Sequence, residues 1–304
     1  MKSNRKIMNE TAKASNLLHP LSDEEMKQLK DVLLQIYDDV SRLCDKYGLV
    51  YMLGYGSCLG AVRHKGFIPW DDDLDMIMPR ESYMKFIDLL QKGELGENYE
   101  FSAPSKKKDS CNAFLKIYRK KTLSFELMHL NSPEPKGIWI DIYPIDYAPS
   151  NVVNRYLRGI LSEALQIIHA SVLYHQYPSE KYKEFMSYNK EAFKRYKQHM
   201  IIGRLFGIIK HKKWLNWYDK VNSSTKNEGL VTIPAGPKHY LGSILPTSVM
   251  FPPSKGFFEN REVRLPNNTD VYLSCLYGDY MKIPPVEERD RHFVYKFNAN
   301  SEKV

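Results

Sequence analysis

Between residues 22 and 47, apolar side chains recur every three or four positions: Met26, Leu29, Leu33, Ile36, Val40 and Leu43. That spacing puts them on one face of an amphipathic helix, and Ser22 with Glu25 gives it a capping-box start. Leu49 to Leu53 reads as a strand. Gly54 and Gly56 let the backbone turn tightly, and Ser57 to Val62 forms a short helix beyond them. Leu74 to Met78 is a short apolar strand carrying Asp75, and Arg80 to Leu90 is a helix that buries Tyr83, Phe86, Ile87 and Leu90. Ala113 to Tyr118 and Thr122 to Leu127 are expected to pair as strands. In the strand Ile138 to Tyr143, alternate residues share a face. Ile138, Ile140 and Ile142 point one way, and Trp139, Asp141 and Tyr143 point the other.

The pattern changes near Pro149. From Asn151 to about Lys226 it is helical and basic, whereas from Leu230 onward proline and glycine are frequent and short strands return. These are Val231 to Ala235 and Gly256 to Leu265, followed by a helix from Asp270 to Tyr277 with Thr269 as N-cap and Gly278 past its end. The expected fold class is α+β, a mixed sheet flanked by helices with a helical insertion. Three parts follow: residues 1–150 with the leading helix and catalytic core, 151–229 as the basic insertion, and 230–304 completing the core.

At 304 residues, 43% of them hydrophobic, the chain can bury a sizeable core. Its apolar runs are shorter than the roughly 20 residues that a spanning helix needs, and MKSNRKIMNETAKASN lacks the apolar centre of a signal peptide. A cytoplasmic location is therefore expected. Cys44, Cys58, Cys111 and Cys275 are scattered without metal spacing, which suits reduced, mostly buried thiols. An excess of 44 basic over 36 acidic residues gives a net charge of +8, which favours phosphorylated ligands or anionic surfaces.

The chemistry concentrates between Gly54 and Arg80, GYGSCLGAVRHKGFIPWDDDLDMIMPR. Asp71, Asp72, Asp73 and Asp75 fall within five positions. Carboxylates so close repel one another and raise each other's pKa, unless a cation lies between them. Asp73 and Asp75 share a strand face and can chelate Mg²⁺, as one or two ions with Mn²⁺ as the alternative. Mg²⁺ keeps waters and phosphates in its other positions. Gly56 and Ser57 would offer amides and a hydroxyl to a phosphate at a helix start. An aspartate in the middle of an apolar strand, Asp141, needs a partner and is the candidate third carboxylate. Gly-Ser, Asp-x-Asp and a later acidic strand residue make the skeleton of a nucleotidyltransferase-type site. An acidic surface loop or a structural Ca²⁺ site is the plain alternative.

LGAVRHKGFIPWDDDLD resembles the signature of the LicD family of phosphocholine transferases, to which fukutin-type enzymes also belong. WIDIYPID at 139–146, FFENREVRLPNNTDVYLSCLYGDYMKIPP at 257–285 and the tail with Arg289 and His292 fit the same pattern. The resemblance covers most of 45–147 and 255–292 but not the helical middle. It implies a polymerase-beta-like nucleotidyltransferase fold. It also implies transfer of a phosphorylated alcohol, such as phosphocholine, from a CDP-alcohol donor to a hydroxyl of a cell-surface glycan or its lipid-linked precursor, with CMP leaving. Asp73 and Asp75 match the metal-binding pair, Asp141 is the candidate third ligand and base, and Gly56 and Ser57 match the phosphate turn. Asp71 and Asp72 match the family's run in a supporting place.

Arg63, His64 and Lys65 are suited to donor phosphates, Arg as a planar fork and Lys as a point charge. A solvated basic loop is their plain alternative. Lys116, Arg289 and His292 are further substrate-binding candidates, and for Lys116 the plain reading is a solvent-facing lysine. In residues 201–218 an apolar run joins a basic, Trp-rich stretch, a pattern that can lie peripherally in a membrane interface. A core helix with a basic exposed end is the plain alternative. Two other functions share the residues: a true nucleotidyltransferase that releases pyrophosphate, and a non-enzymatic glycan- or membrane-binding scaffold. No RNA-binding module is recognisable, so nucleic acid is not an expected partner.

Overall fold

The computed structural model describes residues 4–104, 110–286, 289 and 293–300. Its first helix, α1 (Asn4–Ala14), has no counterpart in the sequence reading. The long helix α2 (Asp23–Lys46) starts as expected: Ser22 accepts from the Glu25 amide while the Glu25 side chain returns to the Ser22 amide. β1 (Met52–Leu53), α3 (Tyr55–Arg63), β2 (Asp75–Pro79) and α4 (Arg80–Gln91) follow. Then come β3 (Tyr99–Ser102), β4 (Leu115–Arg119), β5 (Leu123–Ser124) and the ten-residue β6 (Trp139–Ala148).

The helical block consists of α5 (Val152–Gln176), α6 (Glu180–Ser187), α7 (Lys190–Phe206) and α8 (His211–Ser223). The chain returns through β7 (Leu230–Thr232), α9 (His239–Gly242), β8 (Leu245–Pro246), α10 (Thr247–Met250) and the hairpin of β9 (Ser254–Phe258) with β10 (Arg261–Leu265). It closes with α11 (Thr269–Tyr277) and β11 (Phe297–Asn298). A mixed sheet with helices packed around it is an α+β fold, in agreement with the sequence.

The main sheet has seven strands, with order β1-β2-β6-β4-β3 and the β7-β8 pair attached to the far half of β6. β2 and β6 run parallel, and the other pairs are antiparallel. Its apolar face packs on α2, where Leu33, Ile36 and Val40 meet Ile117, Ile140 and Ile142 in one core. This periodicity-driven burial supplies the main stabilisation, at roughly 25 cal/mol per Å² of apolar surface.

The structure corrects three local expectations. Gly256 to Leu265 is not one strand but most of the β9–β10 hairpin, which turns at Glu259 and Asn260. Thr122 to Leu127 does not pair with the preceding strand, because both edges of β4 are already filled by β3 and β6. Instead β5 takes the tail strand β11 as its partner. The N-cap of α11 is Asn268 rather than Thr269, since the Asn268 side chain accepts from the Val271 amide at 3.0 Å.

A buried ion triad fastens the helical block to the sheet. Arg80, at the start of α4, binds both Asp146 oxygens on β6 at 2.7 Å and reaches Asp219 on α8 at 2.9 Å. Three elements distant in sequence thus share one guanidinium.

Candidate active site

The register of the sheet assembles the site. Asp75 on β2 lies opposite Asp141 on β6, and Asp141 lies opposite Lys116 on β4. Residues paired across strands share a face, so the three form one row. Two positions along that face are Trp139 and Tyr143, with Phe114 packed 4.2 Å from the Tyr143 ring. Asp75, Asp141 and Asp73 all act on the buried Tyr143 phenol; after burial itself, they push its pKa well above the usual value. The carboxylates predicted from sequence therefore converge on one place.

Asp141 titrates far above the ordinary carboxylate range. Burial lifts its carboxyl to about 7; Lys116 opposes the rise, while Glu126 and Asp73 add to it. Its Oδ1 is 3.8 Å from the Lys116 ammonium, too long for a hydrogen bond, and has no hydrogen-bond partner among the described residues. Lys116 is not solvent-facing. It is buried, 3.4 Å from Glu126 and 4.3 Å over the Trp139 ring. Burial works against its charge, but Asp141 and Glu126 prevail and its pKa ends above the ordinary lysine value.

The glycine turn works differently from the sequence expectation. Neither Gly54 nor Gly56 has a positive φ; the left-handed residue is Tyr55, at φ 40°. The glycines are needed for close approach. A Cβ on Gly54 would meet Ile77 Cγ2 at 2.7 Å, and one on Gly56 would meet Asp71 Oδ2 at the same distance. Asp71 thus lies over the start of α3. The Ser57 hydroxyl is buried and accepts the Asp75 amide at 2.8 Å, so it braces the metal-candidate aspartate instead of standing open to a phosphate.

The basic residues also divide. Arg63 donates to the Tyr280 carbonyl at 2.6 Å and tethers the segment after α11. The His64 ring lies edge-on to Trp70, 6.2 Å away. The Lys65 side chain is exposed, and its carbonyl accepts from the Glu259 amide. Arg289 stacks on Trp70 at 4.2 Å, which brings the tail over the loop that carries the aspartates. His292 lies outside the described residues.

A cavity of about 310 Å³ opens beside the row. Asp72, Asp73, Asp141, Lys116 and Glu126 line its polar end, while Met8, Leu127, Tyr182 and Phe185 line the apolar remainder. Sequence reasoning missed Glu126 because it falls where a paired strand was expected, and missed the α1 wall because that helix was not foreseen. It also missed Lys30 on α2. Burial lowers the Lys30 pKa, while the nearby Asp71, Glu259 and Asp72 pull the other way.

Among the described residues, no three His, Cys, Asp or Glu side chains close into a metal-binding group. Asp73, Asp75 and Asp141, expected to act as three ligands, therefore do not form a complete chelate on their own. Their chemistry still suits a hard cation: the donors are carboxylates, and Asp141 presents an orphaned oxygen. Mg²⁺ is commonly held by only one or two carboxylates together with substrate phosphates.

In comparison with known proteins, residues 48–158 match the family described as LicD/FKTN/FKRP, nucleotidyltransferase domain. Along most of its length the chain is similar to the lipopolysaccharide cholinephosphotransferase LicD of Haemophilus influenzae. The two are 26% identical over 281 residues, 88% of this chain and 96% of that protein. An uncharacterized protein of Rickettsia prowazekii is 31% identical over 136 residues, 41% of this chain and 51% of that protein. One from Rickettsia typhi is 30% identical over 138 residues, 43% of this chain and 41% of that protein.

Proposed function

We propose that this LicD-type transferase moves a phosphorylated alcohol, phosphocholine in the first place, from a CDP-alcohol donor to a hydroxyl of a cell-surface glycan or its lipid-linked precursor. The Haemophilus relative is a lipopolysaccharide cholinephosphotransferase by name, so a lipopolysaccharide-type glycan is the first acceptor to test. A new bond forms between the acceptor oxygen and the phosphorus that bears the alcohol. The bond from that phosphorus to the CMP oxygen breaks, and CMP departs with the electron pair.

The observation that carries this reading is the buried Asp141 carboxylate, in register with Asp75, with an unpartnered oxygen beside a cavity that Asp72 and Asp73 also line. A carboxylate held near neutrality is suited to take the acceptor hydroxyl's proton. Lys116, anchored between Asp141 and Glu126, holds positive charge beside the place where the phosphoryl oxygens would lie. Asp73, Asp75 and Asp141 would hold the divalent cation, Mg²⁺ in the first place. When bound, it would offset charge on the transferred group and on the leaving oxygen. A lipid-linked acceptor would bring the enzyme to a membrane surface.

The test is product identity. The protein is incubated with CDP-choline, CDP-ethanolamine, CDP-ribitol, CDP-glycerol or an NTP, each with a lipopolysaccharide-type acceptor, and with Mg²⁺ or EDTA. The expected outcome is acceptor-dependent CMP release from one CDP-alcohol. Pyrophosphate release from an NTP would instead make the protein a true nucleotidyltransferase.

A further inference from the structure

Helix α5 carries an apolar face that nothing in the proposed reaction uses. Val153, Tyr156, Leu157, Ile160, Leu161 and Ile167 are all exposed, with Leu157 at 61% and Ile160 at 60%. Their spacings of three and four put them on one side of the helix, over about 21 Å at 1.5 Å per residue.

Neighbouring elements bound this face without covering it. On one flank α8 closes in, with Arg158 donating to the Ser224 hydroxyl and Trp217 lining a groove with Leu157 and Leu161. On the other flank α9 packs so closely that a Cβ on Gly159 would meet Leu241. At the far end α7 crosses over Ser171, whose hydroxyl meets His199 at 2.8 Å. Just past that crossing, the corner between α7 and α8 presents Ile201, Leu205 and Ile208, the last 95% exposed.

The charge around this surface is one-sided. Residues 151–226 contain fourteen Lys and Arg against five Asp and Glu, a net of +9. The rest of the chain nets −1, so this block alone accounts for the +8 of the whole. Exposed Arg204, Lys210 and Lys213 surround the apolar corner. The stretch at 201–218 contributes less apolar surface than its sequence suggests, because Leu215 and Tyr218 are buried against α5. The greater part of the exposed face comes from α5.

We infer that the exposed face of α5, together with the α7–α8 corner, docks the protein on an anionic lipid bilayer. An aliphatic face that leads to a corner carrying Arg204, Lys210 and Lys213 matches such a surface in both respects: apolar side chains enter the headgroup boundary and the cations meet lipid phosphates. No helix among the described residues is long and apolar enough to cross a membrane, so the helix lies on the bilayer and does not span it. This surface goes beyond the proposed reaction, and its test needs neither donor nor acceptor.

The experiment is co-sedimentation of the full chain with vesicles of phosphatidylcholine, alone or with phosphatidylglycerol, across a salt series. Binding is expected only to the anionic vesicles and is expected to weaken with salt. Leu157→Glu combined with Ile160→Glu should reduce it about tenfold or more, because both the apolar contact and the charge complementarity are impaired. Circular dichroism checks that the helices persist, and Leu157→Ser with Ile160→Ser replaces the pair if they do not. Failure of the wild type to bind anionic vesicles at low salt would overturn the inference. So would binding that is indifferent to these substitutions. Sedimentation equilibrium supplies the remaining arm: a wild-type dimer that the Glu pair converts to monomer would assign the face to a second copy of this chain.

Discussion

Asp75 and Asp141 lie directly opposite one another on the parallel strands β2 and β6. Neighbouring strands are about 4.8 Å apart, so two carboxylates about 66 positions apart in the chain meet on one sheet face. The next strand adds Lys116 opposite Asp141. The resulting acid–acid–base row is the physical core of the site, and it depends on register alone. A slip of one residue in β6 would turn Asp141 to the α2 side of the sheet and destroy the row.

Asp141→Asn should abolish transfer and change the melting temperature little, because two effects oppose each other. Burial already favours the neutral form of this carboxyl, pushed up to about 7, whereas the buried Lys116 loses one countercharge and keeps Glu126. Acceptor-dependent CMP release and a thermal melt, run on the same preparation, check both halves.

Ser57→Ala should destabilise the protein by about 1–3 kcal/mol, the usual cost of leaving a buried donor unmet. The donor in question is the Asp75 amide, which the Ser57 hydroxyl now satisfies. Urea unfolding would show this as a lower midpoint with an unchanged slope. Activity should fall too, because Asp75 loses its brace.

Arg80→Met leaves Asp146 and Asp219 buried without their cation. Breaking a buried pair from one side costs about 3–5 kcal/mol. The loss should centre on α8, where hydrogen exchange would speed up before it does in β2 and β4.

Stability should also fall on acidification through His169. Burial, with smaller contributions from His211, His129 and Lys212, holds this imidazole down to about 3. In the unfolded chain a histidine titrates near 6.5. Below about 6.5 the unfolded chain therefore takes up a proton that the folded chain refuses. Each pH unit down to about 3 costs up to about 1.4 kcal/mol, and above about 6.5 this group contributes no slope. Urea midpoints measured across that window should be flatter for His169→Phe than for the wild type.

Sequence alone determined the elements whose information is local. The capping box and the repeat at three and four residues specified α2, because a helix face depends only on the order of its own residues. Strict alternation specified which way Trp139, Asp141 and Tyr143 point. The crowding of Asp71, Asp72, Asp73 and Asp75 signalled cation chemistry, since charge repulsion at that spacing can be read from the chain. Tertiary structure decided the rest. Lys116 became a buried partner of Asp141 only through the β4–β6 register, and β5 found β11 only because β4 had no free edge. Gly54 and Gly56 are required by Ile77 and Asp71, which approach from other segments, and not by their own φ angles. Only the fold set the Asp75 amide against the Ser57 hydroxyl and the Tyr280 carbonyl against Arg63. The open face of α5 appeared only once α7, α8 and α9 had taken their places around it. Periodicity fixes a helix's own faces, while pairing and coverage depend on contacts between residues far apart in the chain.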